Sequence, residues 1–255
     1  MKHNSLLFCF ALVSLLLLTS CNKKGDPGPT GPVGPAGSFL SGDLIGYCYA
    51  DNQYGPLPVD NSGITVTAEG SGVFARTDSS GRFILNNLHT GTYTISYSKS
   101  GYGTWKSQGF QFVGGGQALI GSAYIYKLPD YNVLNLKAST DSIGYLDIKG
   151  TFSKSISAYY PNYVLLFFSK SSDVSSDPNH YLFTNQFYLN SQGITFQYDL
   201  PTYYLSNQGL TRGQTLYVIA YGASNSNSYL DISTGKYVYP NISTNSSNVT
   251  SFIVP

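Results

Sequence analysis

The spacing of short alternating segments after residue 41 constrains the fold more than any other feature of the sequence. Segments such as 64–68 and 92–97 alternate apolar and polar residues, and clusters of Gly, Asn, Asp and Ser separate such segments at intervals of about 8–12 residues. No stretch in this part of the chain repeats apolar residues at the i, i+3, i+4, i+7 spacing of an amphipathic helix. The pattern predicts an all-β chain with two tandem β-sandwich domains.

Residues 1–20 have the pattern of a signal peptide. Met1-Lys2 begins a short polar segment, and an unbroken run of apolar and small residues follows over Leu6–Leu18. A transmembrane helix needs about 20 apolar residues, so this run is too short to span a bilayer. We therefore expect the segment to be removed from the mature protein.

The residues Leu18-Thr19-Ser20-Cys21 resemble the lipobox of bacterial lipoproteins, in which an aliphatic residue and two small residues precede a cysteine. The resemblance implies that Cys21 is the lipidation site and becomes the N-terminus after cleavage. Two or more acyl chains give a stable anchor, so the implied partner is the lipid bilayer. An ordinary signal peptide with a chance cysteine is the alternative.

Residues 21–40 combine this cysteine with a Gly-Pro-rich segment. Residues 25–37 read GDPGPTGPVGPAG, with glycine at every third position. The segment resembles the short collagen-like stretches that follow the lipid cysteine in Bacteroidota surface lipoproteins. A triple helix is one interpretation, but so few triplets favour a semi-rigid spacer. With Asn22 after the cysteine, the spacer predicts an outer-membrane, surface-exposed protein of the cell envelope.

Residues 41–128 form the first predicted domain. Asp78 and Gly81 supply a turn, because Asp bonds to nearby backbone and Gly tolerates positive φ. The characteristic residues are Thr77-Asp78-Ser79-Ser80-Gly81-Arg82-Phe83, Gly91-Thr92-Tyr93-Thr94-Ile95 and Lys99-Ser100-Gly101-Tyr102. They resemble a carboxypeptidase regulatory-like domain, which implies a transthyretin-like, carbohydrate-binding-like sandwich and says little about function.

Residues 129–255 form the second predicted domain, after a boundary at Pro129-Asp130. Seven strands are predicted there, at 132–138, 144–152, 163–169, 181–188, 194–200, 215–223 and 248–254. The segment Leu210–Ala223 resembles the E–F corner and F strand of a fibronectin type III-like domain. The early strands depart from that family because they contain no tryptophan; the chain has one, Trp105.

The sequence contains no recognisable catalytic or metal-binding motif. The mature chain has the histidines His89 and His180, and neither lies near a motif such as G-x-S-x-G. The polar loop 171–179 offers oxygen ligands but lacks the glycine and the terminal glutamate of an EF-hand. We therefore predict no enzymatic activity, no cofactor and no metal, and we interpret Cys48 as a packed core thiol.

Charge excludes one class of partner. Charged residues make up 11% of the chain, against about 25% in an average domain, and the formal net charge is +1. Loss of Lys2 with the signal peptide makes that net charge zero. A neutral chain with few charges is a poor nucleic-acid binder, so we expect no nucleic-acid partner.

The aromatic content is the feature that points to a ligand. The chain has 23 tyrosines, and sugar rings stack on exposed aromatic faces. Tyr102 and Trp105 are predicted on a loop, where the nearby glycines suggest that Trp105 is exposed, and Tyr203 and Tyr204 form another cluster. These residues are the candidate ligand contacts, although tyrosine is also a favoured strand residue that pairs across strands. Further clusters occur at Tyr47/Tyr49, Tyr159/Tyr160 and Tyr237/Tyr239.

The sequence thus predicts a non-enzymatic, membrane-anchored surface lipoprotein that acts as a binding or structural module, with another surface protein as a partner. The alternative is a glycan-binding accessory lipoprotein of a polysaccharide-uptake system, which rests on the aromatic residues and on the resemblance to a carbohydrate-binding-like fold. The triplet Asp141-Ser142-Ile143 resembles the O-glycosylation acceptor of Bacteroidota secreted proteins.

Overall fold

Strands make up most of the residues that the structure describes. The computed structural model describes residues 40–52, 59–141, 144–156, 162–189 and 192–255, all within the compact unit Phe39–Pro255. Apolar and polar side chains alternate along many of the strands, because successive residues of a strand point to opposite faces. The signal peptide, Cys21, the Gly-Pro-rich segment, Ser142, Ile143, Tyr159 and Tyr160 lie outside the described residues.

Two sheets form the first sandwich. Its strands are β1 (Ser41–Asp51), β2 (Thr65–Ala68), β3 (Val73–Arg76), β4 (Arg82–His89), β5 (Gly91–Ser98), β6 (Trp105–Phe112), β7 (Gln117–Leu119) and β8 (Ala123–Tyr126). One sheet, here called the β1 sheet, has the order β4-β1-β7, with β8 also paired to β1. The other, the β5 sheet, has the order β3-β2-β5-β6.

The first core consists of the residues that point inward from these two sheets. Leu44 and Cys48 come from β1, Phe83 and Leu85 from β4, and Tyr97 from β5; each is at most 2% exposed. Burying an apolar side chain of this size contributes roughly 1.5–3 kcal/mol relative to leaving it in water. The interpretation of Cys48 as a packed core thiol is therefore confirmed.

The predicted turn before β4 is present. The Asp78 carboxylate accepts hydrogen bonds from the Ser80 amide at 2.9 Å and from the Arg82 amide at 3.0 Å. Gly81 has a φ of +84°, in the left-handed region that residues with a side chain rarely adopt. This turn directs β4 back along β1, with Arg82 directly opposite Tyr47.

The second sandwich pairs a three-stranded sheet with a four-stranded one. The strands in this part of the chain are β9 (Val133–Thr140), β10 (Tyr145–Ile156), β11 (Asn162–Ser169), β12 (Phe183–Leu189), β13 (Gly193–Pro201), β14 (Thr215–Ala223), β15 (Tyr229–Asp231), β16 (Lys236–Val238) and β17 (Thr250–Ile253). Of these, β15 and β16 pair with each other in a separate two-stranded sheet. The sheet orders are β13-β10-β9 and β12-β11-β14-β17. All seven predicted strands are present, while the resemblance to fibronectin type III-like domains and the exact domain boundaries stay predictions.

The two central strands of the four-stranded sheet, β11 and β14, are buried on both faces. The inner face of this sheet packs on the main core of the second sandwich, but Phe167 of β11 points the other way and is also fully buried. The rings of Tyr181, Tyr221 and Tyr239 surround Phe167, with centroids 5.3, 5.5 and 5.7 Å away. Tyr239 belongs to residues 224–249, which connect β14 to β17, include β15 and β16, and are called the insert below.

The prediction of an all-β fold is confirmed. One short helix, α1 (Tyr203–Asn207), interrupts the strands of the described chain, and its Leu205 is fully buried. Within the described ranges, none of the helical structure is both long enough and apolar enough to cross a membrane.

Candidate ligand-binding surface

Trp105 lies at the junction between the two sandwiches. It is the first residue of β6, and its ring packs edge-on against Tyr229 of the insert, with 5.5 Å between the ring centroids. Gly103 nearby is buried, and a Cβ atom there would lie 2.3 Å from the carbonyl oxygen of Pro240. The expectation that Trp105 lies on an exposed loop is therefore wrong: Trp105 begins a strand and is partly buried, and Gly103, two residues before it, leaves room for a neighbouring backbone.

Hydrogen bonds between the insert and the first sandwich reinforce this junction. The Ser224 hydroxyl donates to the Lys127 carbonyl, and the Ile232 amide donates to Gln108 Oε1 at 3.0 Å. These bonds and the Trp105 contact all join the insert to the first sandwich. The insert therefore links the two sandwiches and also covers Phe167.

Tyr102 is also placed by the first sandwich. Its backbone bridges to Lys127, its half-buried ring packs against the first core, and Lys99 Nζ lies 5.7 Å from the ring centroid. Burial raises the pKa of the Tyr102 hydroxyl, and the nearby charge of Asp51 adds to the effect. Tyr102 thus lies in the connection between β5 and β6, as the sequence predicts, but its ring is only partly exposed.

The other two predicted contacts lie on α1 in the second sandwich. Tyr203 is 68% exposed, whereas Tyr204 is half-buried against the second core and its hydroxyl donates to the Thr184 carbonyl at 3.4 Å. The four predicted contacts are thus divided between the two sandwiches, and their role as ligand contacts stays a prediction.

The titratable residues singled out from the sequence offer no assembled catalytic group. Burial raises the pKa of the Cys48 thiol to about 12, which keeps it protonated near neutral pH. His89 and His180 are both exposed, the first at the end of β4 and the second in a turn. In the part of the chain that the structure describes, His, Cys, Asp and Glu side chains form no group of three that could hold a metal ion.

Three tyrosines form a continuous aromatic surface on the outer face of the β1 sheet. Tyr47 and Tyr49 point outward because Cys48 between them points into the core, and Tyr124 of β8 lies directly opposite Tyr49. The ring centroids of Tyr47 and Tyr49 are 6.3 Å apart with 13° between the planes, and those of Tyr49 and Tyr124 are 5.4 Å apart. Tyr47, Tyr49 and Tyr124 are called the tyrosine strip below.

The tyrosine strip is open to solvent. Tyr47 is 37% exposed and Tyr124 is 50% exposed, while Tyr49 between them is half-buried. A fully accessible tyrosine offers roughly 150–250 Å². The exposed fractions of the three rings therefore add up to about 200 Å² of accessible tyrosine surface. Aromatic residues are enriched in binding surfaces, and three of their rings adjoin one another here.

Polar side chains adjoin both ends of the strip. Arg82 lies directly opposite Tyr47 at one end. At the other end Asp51 lies opposite Tyr126, whose hydroxyl accepts a hydrogen bond of 3.0 Å from Asn227 Nδ2 of the insert. A ligand lying on the rings would therefore find a guanidinium at one end and a carboxylate and a carboxamide near the other.

The sequence indicates only part of this surface. The spacing of Tyr47 and Tyr49 places both on one face of a strand, but nothing in the sequence shows that Tyr124 lies beside them. That contact depends on the parallel register between β1 and β8, strands that are far apart in the chain. The alternation in Ala123-Tyr124-Ile125-Tyr126 was the available signal, since it puts both tyrosines on the outer face.

Comparison with protein families supports the interpretation of the first sandwich. Residues 57–120 match the model of the carboxypeptidase regulatory-like domain and lie inside the predicted domain 41–128. No curated protein matches the chain.

The solved structures to which the chain is similar come from several bacteria. Over 33% of this chain and 57% of the other, the chain is 23% identical to a protein in a cohesin–X-dockerin complex from Acetivibrio cellulolyticus, with a TM-score of 0.30. A candidate carbohydrate binding protein from Bacteroides uniformis is 14% identical over 83% of this chain and 98% of the other, with a TM-score of 0.31. A DUF3823 family protein from Parabacteroides merdae is 11% identical over 84% and 100%, with a TM-score of 0.30. Scores this low carry no functional inference.

Proposed function

We propose that this chain is a non-catalytic, lipid-anchored protein of the cell envelope that binds glycan through the tyrosine strip. The observation that carries the proposal is the row of adjoining rings at Tyr47, Tyr49 and Tyr124 on an open sheet face. The C–H face of a pyranose ring is apolar and stacks on such rings, while its hydroxyls reach polar groups beside them.

The size of the strip favours a glycan over a protein partner. A stable protein interface buries about 800 Å² on each partner, and the strip offers only about 200 Å² of tyrosine surface. That area suits a short stretch of oligosaccharide. The polar groups at the ends of the strip, Arg82 on one side and Asp51 on the other, can bond sugar hydroxyls as donor and acceptor.

The lipid anchor and the spacer would determine where the tyrosine strip is displayed. Cys21 in its lipobox would hold the chain to a bilayer, and the Gly-Pro-rich segment would separate the sandwiches from it by roughly 35–40 Å if extended. Outer-membrane attachment with the sandwiches facing outward would present the strip to external polysaccharides.

Localisation has its own test. Fatty-acid labelling should be lost in Cys21→Ser, and protease added to intact cells should degrade the wild-type protein. A protein that carries no lipid, or one that is cut only after lysis, would contradict this part of the proposal without bearing on glycan binding.

Glycan binding is tested by affinity electrophoresis of the purified full-length protein in gels that contain neutral polysaccharides. Covering half of the roughly 100 Å² that Tyr124 exposes contributes about 1 kcal/mol, so Tyr124→Ala should weaken retardation about fivefold. Tyr237→Ala is the matched control, because Tyr237 is similarly exposed (52%) but lies in the insert. If no polysaccharide retards the protein, or if both variants behave alike, the strip is not the binding surface.

A further inference from the structure

The outer face of the β5 sheet carries a second polar feature, separate from the tyrosine strip. A groove of about 520 Å³ lies there, lined by Gly63, Thr65, Arg76, Ser98, Lys99 and Ser100. We call it the Arg76 groove. It lies on the opposite sheet of the first sandwich from the strip, so the two surfaces can be perturbed independently.

Strand register places the polar groups of the groove in one row. Thr65 of β2 lies directly opposite Arg76 of β3 on one side and opposite Ser98 of β5 on the other. Thr65 points outward because its neighbours Ile64 and Val66 are fully buried, and residues directly opposite each other share a face. A guanidinium and two hydroxyls therefore line up across three strands.

Within the described part of the chain, the positive charge of Arg76 has no acidic partner. Arg76 is exposed, and among the residues that the structure describes it forms no ion pair. An arginine of this kind presents a planar set of N–H donors that matches the two oxygens of a carboxylate or sulfate group.

Lys99 adds a second positive charge, held by neutral groups. Its Nζ donates to the carbonyl oxygens of Asp60 at 2.7 Å and Ser62 at 3.0 Å. The Asp60 carboxylate turns back to its own loop, where it accepts hydrogen bonds from the Ser62 amide and hydroxyl. It is not among the groove-lining residues, although the charge of Lys99 helps these hydrogen bonds to lower its pKa. Among the residues that the structure describes, two cations and several hydroxyls line the groove, and none of the lining side chains is acidic.

An aromatic ring stands beside the groove. Phe74 precedes Arg76 by two residues on β3, so both side chains point to the same face, and Phe74 is 66% exposed. A free inorganic anion gains no binding energy from contact with this ring. A sugar ring with an acidic substituent can cover Phe74 while its acidic group reaches Arg76.

We propose that the Arg76 groove binds the carboxylate or sulfate group of an acidic polysaccharide. Arg76 holds the acidic group, the hydroxyls of Thr65 and Ser98 donate to it, and Phe74 supports the sugar ring. This inference does not depend on the function proposed for the tyrosine strip.

Affinity electrophoresis of the full-length protein with dextran sulfate, polygalacturonate and uncharged dextran tests the proposal. Loss of a charge-assisted hydrogen bond should lower the affinity of Arg76→Gln for the acidic polymer about tenfold. Arg212→Gln removes the same charge from an exposed loop of the second sandwich and should bind like the wild type, as should Tyr124→Ala. Retardation by dextran sulfate or by polygalacturonate alone identifies which acidic group is bound.

Three results would overturn the proposal. The wild-type protein could show no more retardation with either acidic polymer than with dextran. Arg76→Gln could bind as tightly as the wild type, or Arg212→Gln could lose as much affinity as Arg76→Gln, which would indicate unspecific attraction to net charge. Thermal unfolding of each variant confirms that the comparison is between folded proteins, and the exposed position of Arg76 predicts unchanged stability.

Discussion

Gly103→Ala should loosen the junction between the sandwiches without touching either core. The new Cβ would lie 2.3 Å from the Pro240 carbonyl oxygen, 2.7 Å from the Pro240 carbonyl carbon and 2.6 Å from Asn241 Oδ1. Carbon and oxygen atoms at such distances repel strongly, and two of these atoms belong to backbone, so the insert must move. Overpacking of this kind typically costs about 1–3 kcal/mol.

The fluorescence of Trp105 can report that movement. Trp105 is the single tryptophan, and it contacts Tyr229 of the insert at the same junction. With a urea dependence of about 1–3 kcal/mol per molar, the expected cost lowers the urea midpoint of Trp105 fluorescence by about 1 M. Separation from the insert should also shift the emission to longer wavelength, because the indole meets more water.

Gly121→Ala is the matched control for this experiment. A Cβ atom at Gly121 would meet no atom within 4 Å, so the substitution should leave the midpoint unchanged or raise it slightly. Equal midpoints for Gly103→Ala and Gly121→Ala would refute the close approach of Pro240 to Gly103.

Three further predictions concern single residues. Tyr131→Phe should cost about 1–3 kcal/mol in urea unfolding, because the buried Tyr131 hydroxyl lies 2.9 Å from the Ala223 carbonyl oxygen and 3.1 Å from that of Tyr163. Cys48, with a thiol pKa of about 12, should resist iodoacetamide at pH 8 in the folded protein and react in urea, as mass mapping of its peptide would show. Hydrogen bonds lower the folded-state pKa of the Asp78 carboxyl, so its stabilising effect is present above the unfolded pKa and is lost as the pH falls below about 4. The thermal midpoint of Asp78→Asn should accordingly fall less between pH 7 and pH 3 than that of the wild type.

Local features of the fold were predictable from the sequence. Alternating apolar residues placed the strands, and the Asp78–Gly81 turn followed from the hydrogen-bonding capacity of Asp78 and the conformational freedom of Gly81. Both depend on residues close together in the chain, where geometry leaves few choices.

Features that depend on distant contacts were not predictable in this way. The insert covers Phe167 and meets Trp105, and neither contact has a signature in the local sequence. From the sequence, Gly103 indicates an exposed loop. In the structure, the Pro240 backbone occupies the space that a side chain at Gly103 would need. Glycine permits flexible loops and close backbone contacts alike, and only tertiary structure distinguishes them.

The tyrosine strip also combines a feature that the local sequence predicts with one that depends on a distant contact. Sequence spacing places Tyr47 and Tyr49 on one strand face, but the contact with Tyr124 follows from the parallel pairing of β1 with β8. Parallel strands are joined by long connections, so their register cannot be derived from spacing along the chain.

A crystal structure of the protein with an oligosaccharide from a neutral polysaccharide that retards it tests the central claim most directly. The account predicts sugar rings stacked over Tyr47, Tyr49 and Tyr124, with hydroxyls bonded to Arg82 or Asp51. A sugar bound elsewhere, for example over Tyr203 on α1, with the strip left bare, would contradict it.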